Sequence, residues 1–116
     1  MLNFVLTMES TLVLTALVKD MDNSKILKEL VKYKNLYQDK YQFTKIGMFG
    51  SFARGTATEQ SDIDIMVDQK EPDLFILGNI KCDLEKVFGR KVDIVCISDG
   101  TNKFLKKWID REGVYV

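Results

Sequence analysis

Residues 47–67 read GMFGSFARGTATEQSDIDIMV, and the fold turns on how the last six of them are understood. Asp is depleted in β-strands, yet Asp62-Ile63-Asp64-Ile65-Met66-Val67 otherwise has the alternation and apolar weight of a buried strand. Successive side chains leave a strand on opposite faces. Asp62, Asp64 and Met66 therefore share one face, while Ile63, Ile65 and Val67 share the other and face a core. Two ionised carboxylates this close repel, and partial burial sharpens the repulsion. A cation between them relieves it, and hard divalent ions such as Mg²⁺ take carboxylate oxygens while keeping several waters. Further on, KVDIV (91–95) sets Asp93 among Val92, Ile94 and Val95. If the two strands are neighbours, Asp93 joins Asp62 and Asp64. Three carboxylates around one spot suit two metal ions about 3.5–4 Å apart, the arrangement used for in-line phosphoryl or nucleotidyl transfer.

The residues upstream carry complementary chemistry. Gly50 lets the backbone come close to a ligand. The N–H groups that follow, at the start of a short helical turn, form a natural phosphate site. Ser51 adds a hydroxyl donor, and Arg54, one turn on, can clamp a phosphate oxygen with its planar fork. Ser51 could equally be a plain helix N-cap, which uses the same free N–H groups. Arg54 could be a surface salt-bridge residue. Two look-alikes fail. GSFARGTA has the glycine spacing of a Walker A loop but holds Thr56 where that loop needs lysine. DIDIMV lacks the oxygen ligand and the glycine of an EF-hand loop.

Outward from this unit the pattern is α-β-turn-β-α-β-α, one α/β layer structure with a closing VYV (114–116). Ile26, Leu30, Tyr33 and Tyr37 form a helical stripe that Asn23 or Ser24 can cap. YQFTKIGMF (41–49) reads as a strand, and Gly55–Ser61 as a polar loop. Pro72 suits the start of a helix with Leu74, Leu77, Ile80, Leu84 and Val87 on one face, stopping near Gly89. Residues 91–97 are a further strand. Residues 102–111 are a last helix with Phe104, Leu105, Trp108 and Ile109 inward. By spacing, Tyr33, Tyr37, Phe75, Phe88 and Trp108 belong mostly to the core.

The chain has 116 residues, enough for one domain and one core. Lys+Arg and Asp+Glu are both 17, so there is no basic excess of the kind a dedicated nucleic-acid binder shows. No histidine is present, which removes Ser-His and Cys-His catalysis and histidine-ligated zinc. Cys82 and Cys96 lie in apolar contexts and read as two buried free thiols of a reducing cytoplasm. Chemistry is left to carboxylates, hydroxyls and the backbone.

These residues resemble the signature of the DNA polymerase β-type nucleotidyltransferase superfamily: Gly-Ser, ten residues, then Asp-x-Asp. Here Gly50-Ser51 is followed by Phe52 to Ser61 and then Asp62-Ile63-Asp64, and Asp93 matches the family's third acid. The likeness runs from Met21 onward, through REGVYV (111–116), and is greatest to the minimal, single-domain members, the MNT proteins, often paired with HEPN-domain ribonucleases as toxin–antitoxin modules. It implies a small single-domain nucleotidyltransferase fold with a mixed sheet of about three to four strands flanked by helices. It implies that Asp62 and Asp64 bridge two Mg²⁺ ions and hold the triphosphate of ATP, that Gly50 and Ser51 grip the β,γ-phosphates, and that Asp93 binds the catalytic metal. Arg54 has no fixed family role. Larger relatives carry an extra acceptor domain. Its lack here implies that a partner, a HEPN-type toxin, brings the acceptor, with adenylylation of a tyrosine as the neutralising reaction. Two alternatives stay open: an antitoxin that neutralises only by forming a complex, and a small-molecule nucleotidyltransferase.

Residues 1–20 stand apart from the domain read over 21–116. Their apolar run, Thr11 to Val18, is too short to span a bilayer, and Glu9 with no preceding positive segment makes a poor signal peptide. They read as an N-terminal extension: an added strand, a short helix, or upstream sequence before a true start at Met8 or Met21. N-terminal sequencing of the native protein checks the start-site reading. It expects a terminus at Met8 or Met21, and a mature terminus at Met1 removes it.

Overall fold

The computed structural model describes residues 22–98 and 100–116; the extension read over residues 1–20 lies outside them. Helix α1 (Asn23–Tyr41) is opened by Asp22, whose carboxylate accepts from the Lys25 N–H at 3.0 Å. Asp22 takes the role expected of Asn23 or Ser24, and both of those lie inside the helix. The helix also runs through Tyr41, where a strand was expected. Tyr37 and Tyr41 stack one turn apart, with ring centroids 5.3 Å apart, and Gln42 ends the helix in the left-handed region at φ 51°. Strand β1 (Lys45–Phe49) follows, then the short helix α2 (Gly50–Arg54) and strand β2 (Ile63–Asp68). Helix α3 (Leu74–Phe88) is capped by Asp73, which accepts from Phe75 and Ile76 N–H, and Gly89 closes it. Strand β3 (Val92–Ile97), helix α4 (Lys103–Glu112) and strand β4 (Val114–Tyr115) complete the chain.

The strands form one mixed sheet in the order β3-β2-β1-β4. β1 runs antiparallel to both β2 and β4, and β2 pairs parallel to β3. The parallel pair needs a crossover, and α3 supplies it. Each face of the sheet has its own core. On one side Ile46, Met48, Ile63, Ile65, Val67 and Val92 pack with Ile26, Leu30 and Tyr33 of α1 and Ile80, Leu84 and Phe88 of α3. The buried Tyr33 hydroxyl donates to Asp83 at 2.8 Å, so the two helices are joined by a polar contact as well. The other side is thinner: Phe49, Met66, Ile97 and Ile109 of α4. The alternation read in DIDIMV holds, with Met66 on the face opposite Ile65 and Val67.

Several inward positions differ. On α3 the line facing the sheet is Ile80-Leu84-Phe88; Leu74 and Phe75 in the first turn are 84% and 87% exposed, and Val87 lies outside too. At about 100° per residue, Val87 sits a quarter-turn off Phe88, and the first turn extends past the core. On α4 the buried residue is Ile109, which turns Trp108 about 100° and Phe104 about 140° away; both are exposed. Cys82 is exposed and Cys96 half-buried, both free, so they are not the pair of buried thiols expected. Cys82 falls on the outer side of α3. Among the described residues no helix is long and apolar enough to cross a membrane.

Gly47 marks where β4 joins the edge of the sheet, paired with Tyr115. A Cβ there would overlap the Val114 carbonyl and come within 2.7 Å of Met66 Cε and 2.9 Å of Tyr115 Cα. Gly47→Ala is expected to cost about 1–3 kcal/mol through overpacking, read as a lower urea midpoint with faster hydrogen exchange at Tyr115 and Val116.

Candidate active site

Strand register builds the site. Phe49 of β1 pairs with Asp64 of β2, and Asp64 pairs with Asp93 of β3. Directly paired residues share a face and neighbouring strands lie about 4.8 Å apart. Phe49, Asp64 and Asp93 therefore form a row across three strands, on the α4 side of the sheet. Beyond Phe49 the chain turns at Gly50, whose φ of +73° suits glycine. A Cβ at Gly50 would overlap the Asp64 carboxylate. The glycine thus admits the protein's own acid to the backbone, which the sequence reading had reserved for a ligand. Gly50 opens α2, and Phe49 at its start provides no side-chain cap. The first N–H groups of the turn are left without that partner. Ser51 stands half-buried in this turn, its carbonyl accepting from the Thr56 N–H at 2.9 Å.

The charges around Asp64 are unequal. Burial pushes its carboxyl above the ordinary value, the Asp93 and Asp62 charges push the same way, and the Arg54 guanidinium pulls it down. Arg54 itself reaches across to α4 and pairs with Glu112 at 3.2 Å. Its field reaches Asp64 while its fork is held by another carboxylate. Asp62 lies just before β2 and pairs with Lys91 at 3.8 Å. Among the described residues no three acidic or thiol side chains converge closely enough to enclose an ion. The expected trio is thus a pair in register, Asp64 and Asp93, with Asp62 turned toward the counter-charge beside it. The Asp62–Lys91 pair is partly exposed, and such pairs contribute about 0–1 kcal/mol, so little opposes Asp62 turning back toward Asp64.

Two residues that the sequence reading passed over hold this arrangement. Arg90 donates to the carbonyls of Thr58 and Ser61, both at 3.1 Å, and lies 5.3 Å over the Phe52 ring. It ties down the loop between Ser51 and Asp62. Glu112 holds Arg54. Neither has a local signal, because their partners lie about thirty and sixty residues away; only the basic pair Arg90-Lys91 hints at Arg90.

The donor set fits a divalent cation. It is all oxygen and it is anionic; burial first, and then the Asp93 and Asp62 charges, disfavour an uncompensated charge on Asp64. With the open turn at Gly50-Ser51 beside it, the site can receive a polyphosphate at one end and a cation at the other.

The chain is similar to known proteins in sequence and in fold. Residues 31–116 match the family model described as polymerase beta, nucleotidyltransferase. A protein of Methanocaldococcus jannaschii, provisionally named a protein adenylyltransferase, is 41% identical over 96 residues, which cover 80% of this chain and 96% of that one. The protein adenylyltransferase MntA of Thermococcus cleftensis is 36% identical over 88 residues, 75% of this chain and 88% of its own. A crystal structure described as a toxin–antitoxin with AMP-PNP superposes with a TM-score of 0.61 at 25% identity, covering 82% of this chain and 72% of that one.

The Asp64 carboxyl gives a pH test. Its folded-state pKa is raised, so folding favours the protonated form; that contribution is full below the unfolded carboxylate range and is lost as pH rises through the raised folded-state value. In chelator at pH 7, Asp64→Asn is expected to melt higher than the parent, and the gain to shrink as pH falls into the carboxylate range. Added Mg²⁺ should raise the parent's midpoint and leave the variant's unchanged. Thermal melts across pH check all three, and a variant less stable than the parent at pH 7 contradicts the reading.

Proposed function

The chain belongs to the polymerase β-type nucleotidyltransferase family and is a nucleotidyltransferase, and from that premise we propose that it moves AMP from ATP to a hydroxyl of a partner protein, acting as an antitoxin. The proposed partner is a HEPN-type toxin and the proposed acceptor a tyrosine on it. The proposed working unit is residues 21–116, and the setting is the cytoplasm, where ATP and Mg²⁺ are at hand. The observation that carries the reading is the register of Asp64 with Asp93 beside Gly50. The relatives named as protein adenylyltransferases support the reaction, and the toxin–antitoxin structure with AMP-PNP supports the partner class and the nucleotide.

In this reading Ser51 and the backbone from Gly50 hold the β,γ-phosphates at the open turn of α2. Asp62, Asp64 and Asp93 would hold Mg²⁺, two ions in all, which supply charge neutralisation to the triphosphate and to the leaving pyrophosphate. Asp93, exposed at the outer end of the row, faces the acceptor and takes the proton from its hydroxyl. The hydroxyl oxygen attacks the α-phosphorus, a new P–O bond forms, the bond to the β-phosphate oxygen breaks, and pyrophosphate departs in line. Arg54 leaves Glu112 to meet phosphate oxygens. Its surface ion pair contributes about 0–1 kcal/mol, so the exchange is inexpensive.

Intact-mass spectrometry tests this. The HEPN-type partner, incubated with this protein, ATP and Mg²⁺, is expected to gain mass in AMP steps, and to gain none with Asp64→Ala. A stable complex that silences the partner without any gain would replace transfer with neutralisation by binding alone.

A further inference from the structure

Helix α4 carries a surface that neither the core nor the catalytic row uses. Its inner side is Ile109, with Leu105 beside it, against Phe49, Met66 and Ile97. Its outer side presents Phe104, Lys107, Trp108 and Arg111, which line a groove of roughly 430 Å³. They recur at helical spacing and make one stripe about 10 Å long. Phe104 is 85% exposed and Trp108 41%. Lys103, Lys106, Lys107 and Arg111 give the helix four cations, and none has an ion pair among the described residues. The stripe adjoins the site. The Trp108 ring meets Phe49, the residue before Gly50, edge-on with centroids 5.7 Å apart. Glu112, next to Arg111, holds Arg54.

We propose that this stripe docks the protein that carries the acceptor hydroxyl, through a segment of it that is acidic and bears a large apolar side chain. The inference rests on the transfer reading above and adds where the acceptor protein binds. Carboxylates of the segment meet Lys107 and Arg111, and its apolar side chain covers the Phe104 ring; aromatic and arginine anchors of this kind dominate protein interfaces, and the charges set orientation and encounter rate. The chain as a whole is neutral, with 17 basic and 17 acidic residues; on this helix four cations outnumber Asp110 and Glu112, and Glu112 is held by Arg54, so the stripe is a positive face that suits an acidic surface. A ligand seated here lies beside the end of β1 that leads into Gly50, which brings its hydroxyl toward the row of acids.

The test uses the full chain with Phe104→Ala, and separately with Lys107→Glu plus Arg111→Glu. Lys28→Glu plus Lys86→Glu, on the helices across the sheet, is the charge-matched control. The probe is a purified HEPN-type toxin, the partner class of the proposed function. Binding is measured by calorimetry in an Asp64→Asn background, and KM for ATP and for the partner in the active protein. Both stripe variants are expected to weaken partner binding tenfold or more and to raise its KM alike, with KM for ATP and the control pair unchanged. Unchanged partner affinity overturns the proposal, as does a parent that does not bind the partner. A raised KM for ATP alone would give the stripe to the nucleotide. Self-association of the parent that Phe104→Ala abolishes, read by sedimentation, would give it to a second copy. Stripe-dependent binding by a parent that transfers no AMP would keep the docking surface and retire the reaction.

Discussion

Parallel pairing of β2 with β3 sets Asp64 beside Asp93, and the rest of the molecule is arranged to make that pairing hold. Two carboxylates in adjacent register repel and cost the fold something when no cation is present. The main core on the far face provides the compensation. Ile63, Ile65 and Val67 are fully buried there, and they fix the phase of β2 so that Asp64 has nowhere else to point. A one-residue slip would send Asp64 into that core and three apolar side chains out of it. Burial of the isoleucines thus enforces the position of the acid. The bend at Gly50 and the loop held by Arg90 then bring the uncapped first turn of α2 to the same spot.

Much of this was legible because it is written at short range. The period of two in DIDIMV, the ten-residue spacer after Gly50-Ser51 and the lone acid in KVDIV need no knowledge of the rest of the chain. What depended on distant partners was hidden. Arg54 was open to reading as a phosphate clamp or a surface salt-bridge residue, and Glu112, far off in sequence, could not be named as its partner. Asp62 looked equivalent to Asp64, yet it precedes the strand, and Lys91 draws it aside. Helix faces were misjudged where a helix meets only a small core. On α4 only Ile109 is fully enclosed, so Phe104 gave a false inward signal and Trp108 reaches the core only edge-on to Phe49. Capping was misplaced by one residue, since Asp22, Asn23 and Ser24 all cap well and only the exit of the backbone decides among them.

The two faces of the sheet also differ in how firmly they are built. One has two long helices over a deep core. The other, where the acids lie, has among the described residues a single ten-residue helix seated on Phe49, Met66 and Ile97. Local opening is easiest where few apolar contacts are buried, so α4 is the element readiest to shift as substrates arrive, while the strands beneath it stay fixed. Precision of the acids and mobility of their cover are separated onto opposite sides of one layer.

That cover holds the chain's only tryptophan, set edge-on against the ring of Phe49. An indole in that place is a built-in optical gauge. Its emission responds to the packing of Phe49, the residue before Gly50, and, being partly exposed on its other side, to changes at the helix surface. Under the proposed function, nucleotide on one side and a partner protein on the other would each alter this single chromophore, which would follow both in real time without a label.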